Sequence, residues 1–295
     1  MSSDEIERVR RFNRTVTQRI GALSDEYLSL RRPLGASRVL WEIAVDGSDA
    51  RSLRARLDLD SGYLSRLLRM LETEGLVTVQ PHDDDQRVRL VRLTDSGRIE
   101  RAELDRRSDE LARSLLGSLD ERSQRQLLEA MATVERLLTA GLVDVRIVDP
   151  RSDVADFCIR SYFAELDQRF DAGFDLDVSK SADITEFVEP TGLFLVAHLH
   201  DEPIGCGALR FHGAEGTDVK RMWVENSARG LGVGRRMLSE LERHAKQRGV
   251  TVLRLETNRN LHEAIGLYKS AGYVEVDAFN REPYAHHWFA KDLTT

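Results

Sequence analysis

"ARGLGVGRRML", Ala228–Leu238, carries three glycines at alternate positions and then two arginines. Glycine lets backbone N–H groups turn inward, and a helix start presents N–H groups that lack intrahelical partners. Together they make a phosphate cradle. A nucleoside-triphosphate loop needs Gly-Lys-Ser/Thr after its glycines, and the chain has no Gly-Lys dipeptide. A dinucleotide loop needs its third glycine one place later and opens the first βαβ unit. Glu256 stands at about the right distance for such a fold. The loop, however, comes late, behind several strands without parallel βαβ alternation.

Short apolar runs surround the loop: "GLFLVAHL", "PIGCGALRF", "VKRMWV" and "VTVLRLE" read as strands. Helical patterns fall between and after them, at 152–170, 234–248 and 262–271. Strands and helices thus mix throughout the second half. Upstream, the texture differs. Ile6, Val9, Phe12, Val16, Ile20, Leu23 and Tyr27 keep helical spacing and predict one long amphipathic helix. "SRVLWEIAVDG" predicts a short helix, and residues 50–75 predict two more, the second capped by Asp60 or Ser61 and stopped at Gly75. Val77, Val79, Val88, Leu90 and Leu93 then change the period to two around the polar tip "PHDDDQ". That is a β-hairpin. Helical periodicity returns from 95 to 140, broken near Asp120. The texture changes at residue 143, so two domains are expected, 1–143 and 144–295.

The chain has 295 residues and a net charge of −7. Residues 1–143 hold 24 arginines, no lysine and 25 acids, whereas 144–295 hold 19 bases and 25 acids. The first half is therefore near neutral with arginine as its only cation, the residue that matches phosphates and guanine edges bidentately. A GC-rich genome would give the same bias. No apolar run approaches the roughly 20 residues of a membrane helix, and the N-terminus carries no apolar signal region. Cys158 and Cys206 lack metal-ligand spacing and are expected to be buried thiols in a reducing cytoplasm.

Helix, turn, helix and hairpin is the winged-helix order. In "SGYLSRLLRMLETEGL" the leucines at 64, 67, 68 and 71 share one face, and Ser61, Tyr63, Ser65, Arg66 and Arg69 occupy others. An apolar face for the core and a hydroxyl and arginine face for base edges suit major-groove reading. Arg87 and Arg89 stand on the wing, where arginine can enter the minor groove. The segments "VLWEIA", "LDLDSGYLSRLLRMLETEGLV" and "DDDQRVRLVRLTDSG" resemble the MarR family of winged-helix regulators. The wing repeats that family's Asp-x-Arg at Asp85 and Arg87. The resemblance implies a homodimer that grips a pseudo-palindromic double-stranded DNA operator, with the first helix and the last two at the interface. Leu127, Met131, Val134 and Leu138 suit a helix-on-helix seam.

Arg229, Gly230, Leu231, Gly232, Val233 and Gly234 fit Arg/Gln-x-x-Gly-x-Gly/Ala. With "VKRMWV", "RRMLSELERHAKQRG", "VTVLRLETN", "EAIGLYKSAGY" and "HHWFAKDL", the second half resembles the GNAT N-acetyltransferases throughout. The fold class expected is thus a mainly-α winged helix-turn-helix followed by an α+β GNAT acyltransferase fold with a mixed, mostly antiparallel sheet. The resemblance implies acetyl-CoA as acetyl donor. Met222, Trp223 and Val224 would face its pantetheine arm, and the glycine loop with Arg235 and Arg236 its pyrophosphate. Tyr268 in "GLYKSAGY" stands where the family places its general acid. Asp218 is the candidate base or amine anchor, with Glu215, Glu256 or a water relay as alternatives. Where the family often has an Asn, this chain has Leu261, so Asn258 is the substitute coenzyme contact. Asn280, Tyr284, His286 and Trp288 would wall the substrate site. His286 and His287 are adjacent and face opposite ways in a strand, so no metal is expected.

These readings combine into a cytoplasmic protein that regulates transcription and acetylates a primary amine, on a small molecule or amino acid. Two other readings stay open: a regulator whose second domain only senses acetyl-CoA or a metabolite, and a protein lysine acetyltransferase.

Overall fold

The computed structural model describes residues 2–23, 27–29, 32–81, 88–171, 173–175, 183–213 and 216–294. The chain forms two compact units, Met1–Met131 and Ala132–Thr295.

In the first unit, α1 (Ser3–Arg19) opens with a capping box between Ser2 and Glu5. It is shorter than its apolar spacing predicts. Gly21 takes a left-handed φ of +70°, which ends the helix before Leu23 and Tyr27. α2 (Leu34–Glu42), α3 (Ala50–Leu57) and α4 (Ser61–Thr73) follow. Asp49 caps α3 through Arg51 N–H, and Asp60 caps α4 through Tyr63 N–H. The sequence gives no hint of β1 (Ser48–Asp49), which joins β3 (Arg89–Leu93) and β2 (Val77–Pro81) in the order β1-β3-β2. Val77 pairs with Leu93 and Val79 with Val91. The inward face of β3 is therefore Val91 and Leu93, and Leu90, expected to share it, lies on the opposite face. The core gathers Val39 and Leu40 of α2, Ile43 just after it, Leu53 of α3 and the four leucines of α4. α5 (Asp95–Gly117) follows in this unit, and α6 (Glu121–Leu142), at whose start Asp120 accepts from Ser123 N–H, runs through the boundary at residues 131–132 into the second. Ile6, Val9, Phe12 and Val16 of α1 are exposed, as are Met131 and Leu138 of α6.

Among the described residues, the second unit is built on seven strands: β4 (Asp144–Val148), β5 (Gly192–Leu199), β6 (Glu202–Phe211), β7 (Thr217–Val224), β8 (Val252–Thr257), β9 (Val274–Val276) and β10 (His287–Asp292). Their order is β4-β5-β6-β7-β8-β10-β9, antiparallel except for β7 beside β8. Period two decides which side each residue serves. Leu193, Leu195 and Ala197 of β5 join a core with Met237, Leu238 and Leu241 of α8 (Val233–Gln247) and Tyr268 of α9 (His262–Ser270). Phe194 and Val196 join Ala155 and Cys158 of α7 (Asp153–Arg169) on the other side. Each fully buried Leu or Met contributes about 1.5–3 kcal/mol of transfer free energy. No described helix is long and apolar enough to cross a membrane.

Two local events open this sheet. β7 pairs with β8 only at Thr217↔Leu253 and Asp218↔Arg254, and beyond them the strands part. The β6–β7 register shifts between Cys206 and Ala208, where Arg221 takes a left-handed φ of +57°. A β-bulge re-aims the side chains that follow it. A Cβ on Gly207 would stand 2.8 Å from Met222 sulfur, so a side chain opposite the bulge would push Met222 aside.

Candidate active site and nucleic-acid face

A cavity of about 420 Å³ lies beside the gap where β7 leaves β8. Met222, Trp223 and Val224 of β7 form one wall. Gly230, Gly232, Val233, Gly234 and Arg235 form another, together with Arg229. Gly232 is the N-cap of α8 at φ +79°, a conformation that places no side chain over the first turn. Gly230 takes φ +84°, and a Cβ at either glycine would meet open space. The loop is thus a bare backbone surface at a helix start, with a positive dipole end and arginines at its rim. That geometry fits a diphosphate.

The rim charges are organised by α7. Glu165 accepts from Arg169 at 3.1 Å and pairs with Arg229, whose Nε also donates to the Val224 carbonyl at 3.2 Å. Arg169 reaches Glu263 at 2.6 Å, and that bond holds the Glu263 carboxyl below its usual range. Arg235 donates to Ser270 Oγ at 2.6 Å. Leu231 packs into the core instead of lining the cavity, and Arg236 reaches the Ala140 carbonyl at 3.4 Å.

A second cavity of about 100 Å³ adjoins the first. Tyr162, Leu166, Met222, Leu261, Ala264 and Tyr268 line both. Its far side is aromatic: Tyr284 lies 4.8 Å from Phe174 and 5.6 Å from Phe170, centroid to centroid. Lys220, Arg221, Glu256 and Glu282 bring charge to it. Lys220 pairs with Glu256, which also accepts from Asn280 at 3.3 Å. Tyr268 is 5% exposed, and burial raises its phenol far above the usual value. Burial also pushes Tyr162 up to about 12. Both hydroxyls are therefore protonated at neutral pH.

In the first unit, a groove of about 460 Å³ runs between α3, α4 and the hairpin. Ser61, Ser65, Arg69 and Arg89 line it, all exposed, joined by Arg51 and Arg54 of α3. Among the described residues, Asp49 and Glu72 are the groove's acids, and both accept backbone N–H groups, from Arg51 and Val79.

Residues 190–275 match the family described as "Acetyltransferase (GNAT) domain", and residues 38–97 match "Winged helix DNA-binding domain". An "IAA acetyltransferase" of Azospirillum brasilense is 33% identical over 121 residues, 41% of this chain and 78% of that protein. The chain belongs to the GNAT acetyltransferases. An uncharacterized HTH-type transcriptional regulator of Bacillus subtilis, YdgJ, is 33% identical over 81 residues, 27% of this chain and 49% of its own. A GNAT-family acetyltransferase structure from Staphylococcus aureus aligns at a TM-score of 0.44 and 16% identity, over 51% of this chain and 99% of that one.

The acetyltransferase brings together most of the residues its sequence nominates, and separates several. Tyr268 stands where the two cavities meet. Asp218, the candidate base, lines neither. It is 5% exposed and held by Arg254 at 3.0 Å and His212 Nε2 at 2.8 Å, at the end of β7 that stays paired. Strand position suggested it, but the strands part only beyond it. Glu256 takes its place in the small cavity, and Glu215 lies outside the described residues. Asn258 lines the small cavity, not the glycine-loop cavity, and both ends of its amide are engaged: Nδ2 donates to the Tyr284 carbonyl and Oδ1 accepts from Asn260 N–H. It holds the loop that carries Tyr284. Asn280 and Trp288 stand behind the pocket, with Trp288 Nε1 donating to Asn280 Oδ1 at 2.9 Å. His286 is exposed outside both cavities, and His287 bonds Glu275 at 2.6 Å.

On the winged helix, Tyr63 and Arg66 leave the groove. The Tyr63 hydroxyl packs against Gly35 of α2, and Arg66 lies over the Tyr63 ring at 5.6 Å. Arg87 and Asp85 lie outside the described residues. Sequence reasoning missed Arg51 and Arg54, Tyr162, Glu165 and Arg169 of α7, and Arg221. An arginine inside the apolar strand "VKRMWV" was the available signal for the last. The α7 set carries no local signal, because its helix reaches the cleft only through the fold.

Proposed function

We propose that the chain joins two activities in the cytoplasm. Residues 1–143 act as a MarR-type regulator that binds a pseudo-palindromic operator as a homodimer. Residues 144–295 transfer an acetyl group from acetyl-CoA to a primary amine of a small molecule or amino acid. The enzymatic reading rests above all on Tyr268, a neutral buried phenol at the junction of the glycine-loop cavity and the small charged pocket.

The chemistry follows from that junction. The pyrophosphate sits on the bare N–H groups of Gly232–Gly234 with Arg229 and Arg235 beside it, and the pantetheine arm runs along Met222, Trp223 and Val224. An alkylammonium has a pKa of about 10 and must lose a proton before it attacks. Glu256, directly or through a water, accepts that proton. The amine lone pair forms the C–N bond at the thioester carbonyl carbon, and the C–S bond breaks with its electron pair left on sulfur. The Tyr268 hydroxyl protonates the departing thiolate. The nitrogen of the adduct sheds its second proton to water as the C–S bond breaks, and return of the first proton from Glu256 to Tyr268 through water restores the site.

The regulatory reading is supported by the groove with Arg51, Arg54, Arg69 and Arg89 beside Ser61 and Ser65. The exposed apolar stripes of α1 and α6 support the homodimer.

The deciding experiment incubates the full chain with acetyl-CoA and a panel of amines and amino acids, reading coenzyme A release and products by mass spectrometry. Acetylated small amines are expected. Normal acetyl-CoA binding with no product would leave a sensor domain, and acetyl-lysine appearing only on protein would move the substrate class.

A further inference from the structure

We infer that the small pocket selects amines that also carry a carboxylate, and that Arg221 is the residue that holds it. This rests on the acetyltransferase reading of the same pocket and names its substrate class. Three observations carry it.

Arg221 has a left-handed φ of +57° at the β6–β7 bulge, although it is neither glycine nor asparagine. Such a backbone costs about 1–2 kcal/mol and persists where the surrounding fold fixes it, often at ligand sites. Its side chain lines the small cavity instead of snorkelling to the surface. The guanidinium lies 4.3 Å from the Phe163 centroid and 5.8 Å from those of Tyr162 and Phe187. Rings at these distances confine the guanidinium, and a confined fork suits bidentate recognition of a carboxylate.

The pocket's charges also balance. Lys220 and Arg221 face Glu256 and Glu282 in one cavity. A bare ammonium would bring a third cation beside a guanidinium that burial already disfavours in its charged form. A zwitterion is neutral overall, so it enters without upsetting that balance, its carboxylate toward Arg221 and its ammonium toward Glu256. The aromatic side at Phe170, Phe174 and Tyr284 offers an apolar surface to a substituent.

The test uses the full chain with acetyl-CoA and matched pairs that differ by one carboxylate: L-phenylalanine against phenethylamine, and L-alanine against ethylamine. The carboxylate-bearing member is expected to lead by about 100-fold or more in kcat/KM, because a site built around a polar group rejects the analogue lacking it. Arg221→Met is expected to raise KM for the amino acid, shrink the preference below about 10-fold, and leave acetyl-CoA binding unchanged. Arg221→Lys keeps the charge without the fork and is expected to fall between them. Calorimetric titration of the same pairs reads the preference without turnover, so it separates failure of this inference from failure of the enzymatic reading. Equal use or equal binding of both members would overturn it, as would an Arg221→Met variant that keeps the wild-type preference.

Discussion

Tyr268 and Asp218 show how far environment decides a side chain's use. Tyr268 packs 6.0 Å from Tyr273 and 6.1 Å from Phe289, ring to ring. Phenylalanine fills the same space, so Tyr268→Phe is expected to fold and bind acetyl-CoA normally. Its acetyl transfer should drop by about 10²–10⁴-fold, the usual worth of a positioned acid. Steady-state kinetics with a calorimetric binding control checks this. Burial raises Tyr162 to about 12 and raises Tyr268 and Tyr273 as well. The folded state therefore favours the neutral phenols. Their contribution is complete below the unfolded value of about 10 and is lost as pH climbs through the raised values. Thermal midpoints are expected to hold up to about pH 9 and fall above 10, less steeply in Tyr268→Phe. An equal fall in both proteins would remove Tyr268 from the account. Asp218 has the opposite fate: bonds to Arg254 and His212, together with burial, make it a strut between β7 and β8.

Among the elements, the start of α8 and the bulge in β7 do the positioning. Gly232 needs its left-handed φ to cap α8 without a side chain. Gly232→Ala imposes strain of about 1–2 kcal/mol and is expected to weaken acetyl-CoA binding, read by calorimetry. Leu238→Ala on the buried side of α8 is expected to cost about 2–5 kcal/mol of stability in denaturant unfolding. It touches neither cavity, so the two variants separate loop geometry from packing. On α4, the leucine face was legible by spacing alone, and Ser61, Ser65 and Arg69 line the groove. Tyr63 and Arg66 do not, because α2 packs close enough for Gly35 to meet the Tyr63 hydroxyl. Arg69→Ala and Arg54→Ala are each expected to weaken DNA binding and to lower the salt slope by about one. An unchanged slope in both, measured by fluorescence anisotropy across salt, would take them off the phosphate backbone.

At the scale of the molecule, the chain divides into two compact units with separate cores. α1 carries no buried residue, yet Ile6, Val9, Phe12 and Val16 stay in register along it. Such a stripe on a monomer asks for a partner helix. Phe12→Glu is expected to convert a dimer to a monomer in light scattering and to weaken operator binding, while acetyl transfer persists. If ligand and DNA are coupled, a ligand that weakens DNA binding must bind more weakly to the DNA complex by the same factor.

The sequence by itself determined the order of most helices and strands, written in local periodicity, and the glycine loop, because the left-handed start of α8 favours glycine. Tyr268 was legible through the resemblance of "GLYKSAGY" to the GNAT motif. The sequence also determined two apolar faces, since leucines three and four apart must share a side of a helix. Tertiary structure alone decided which acid reaches the cleft. Asp218 and Glu256 are both acids on neighbouring strands, and only the point where β7 leaves β8 separates a buried strut from a pocket wall. It also decided that Arg221 turns inward, because a bulge depends on the register between two strands. Register is a property of the pairing, not of either strand's own residues.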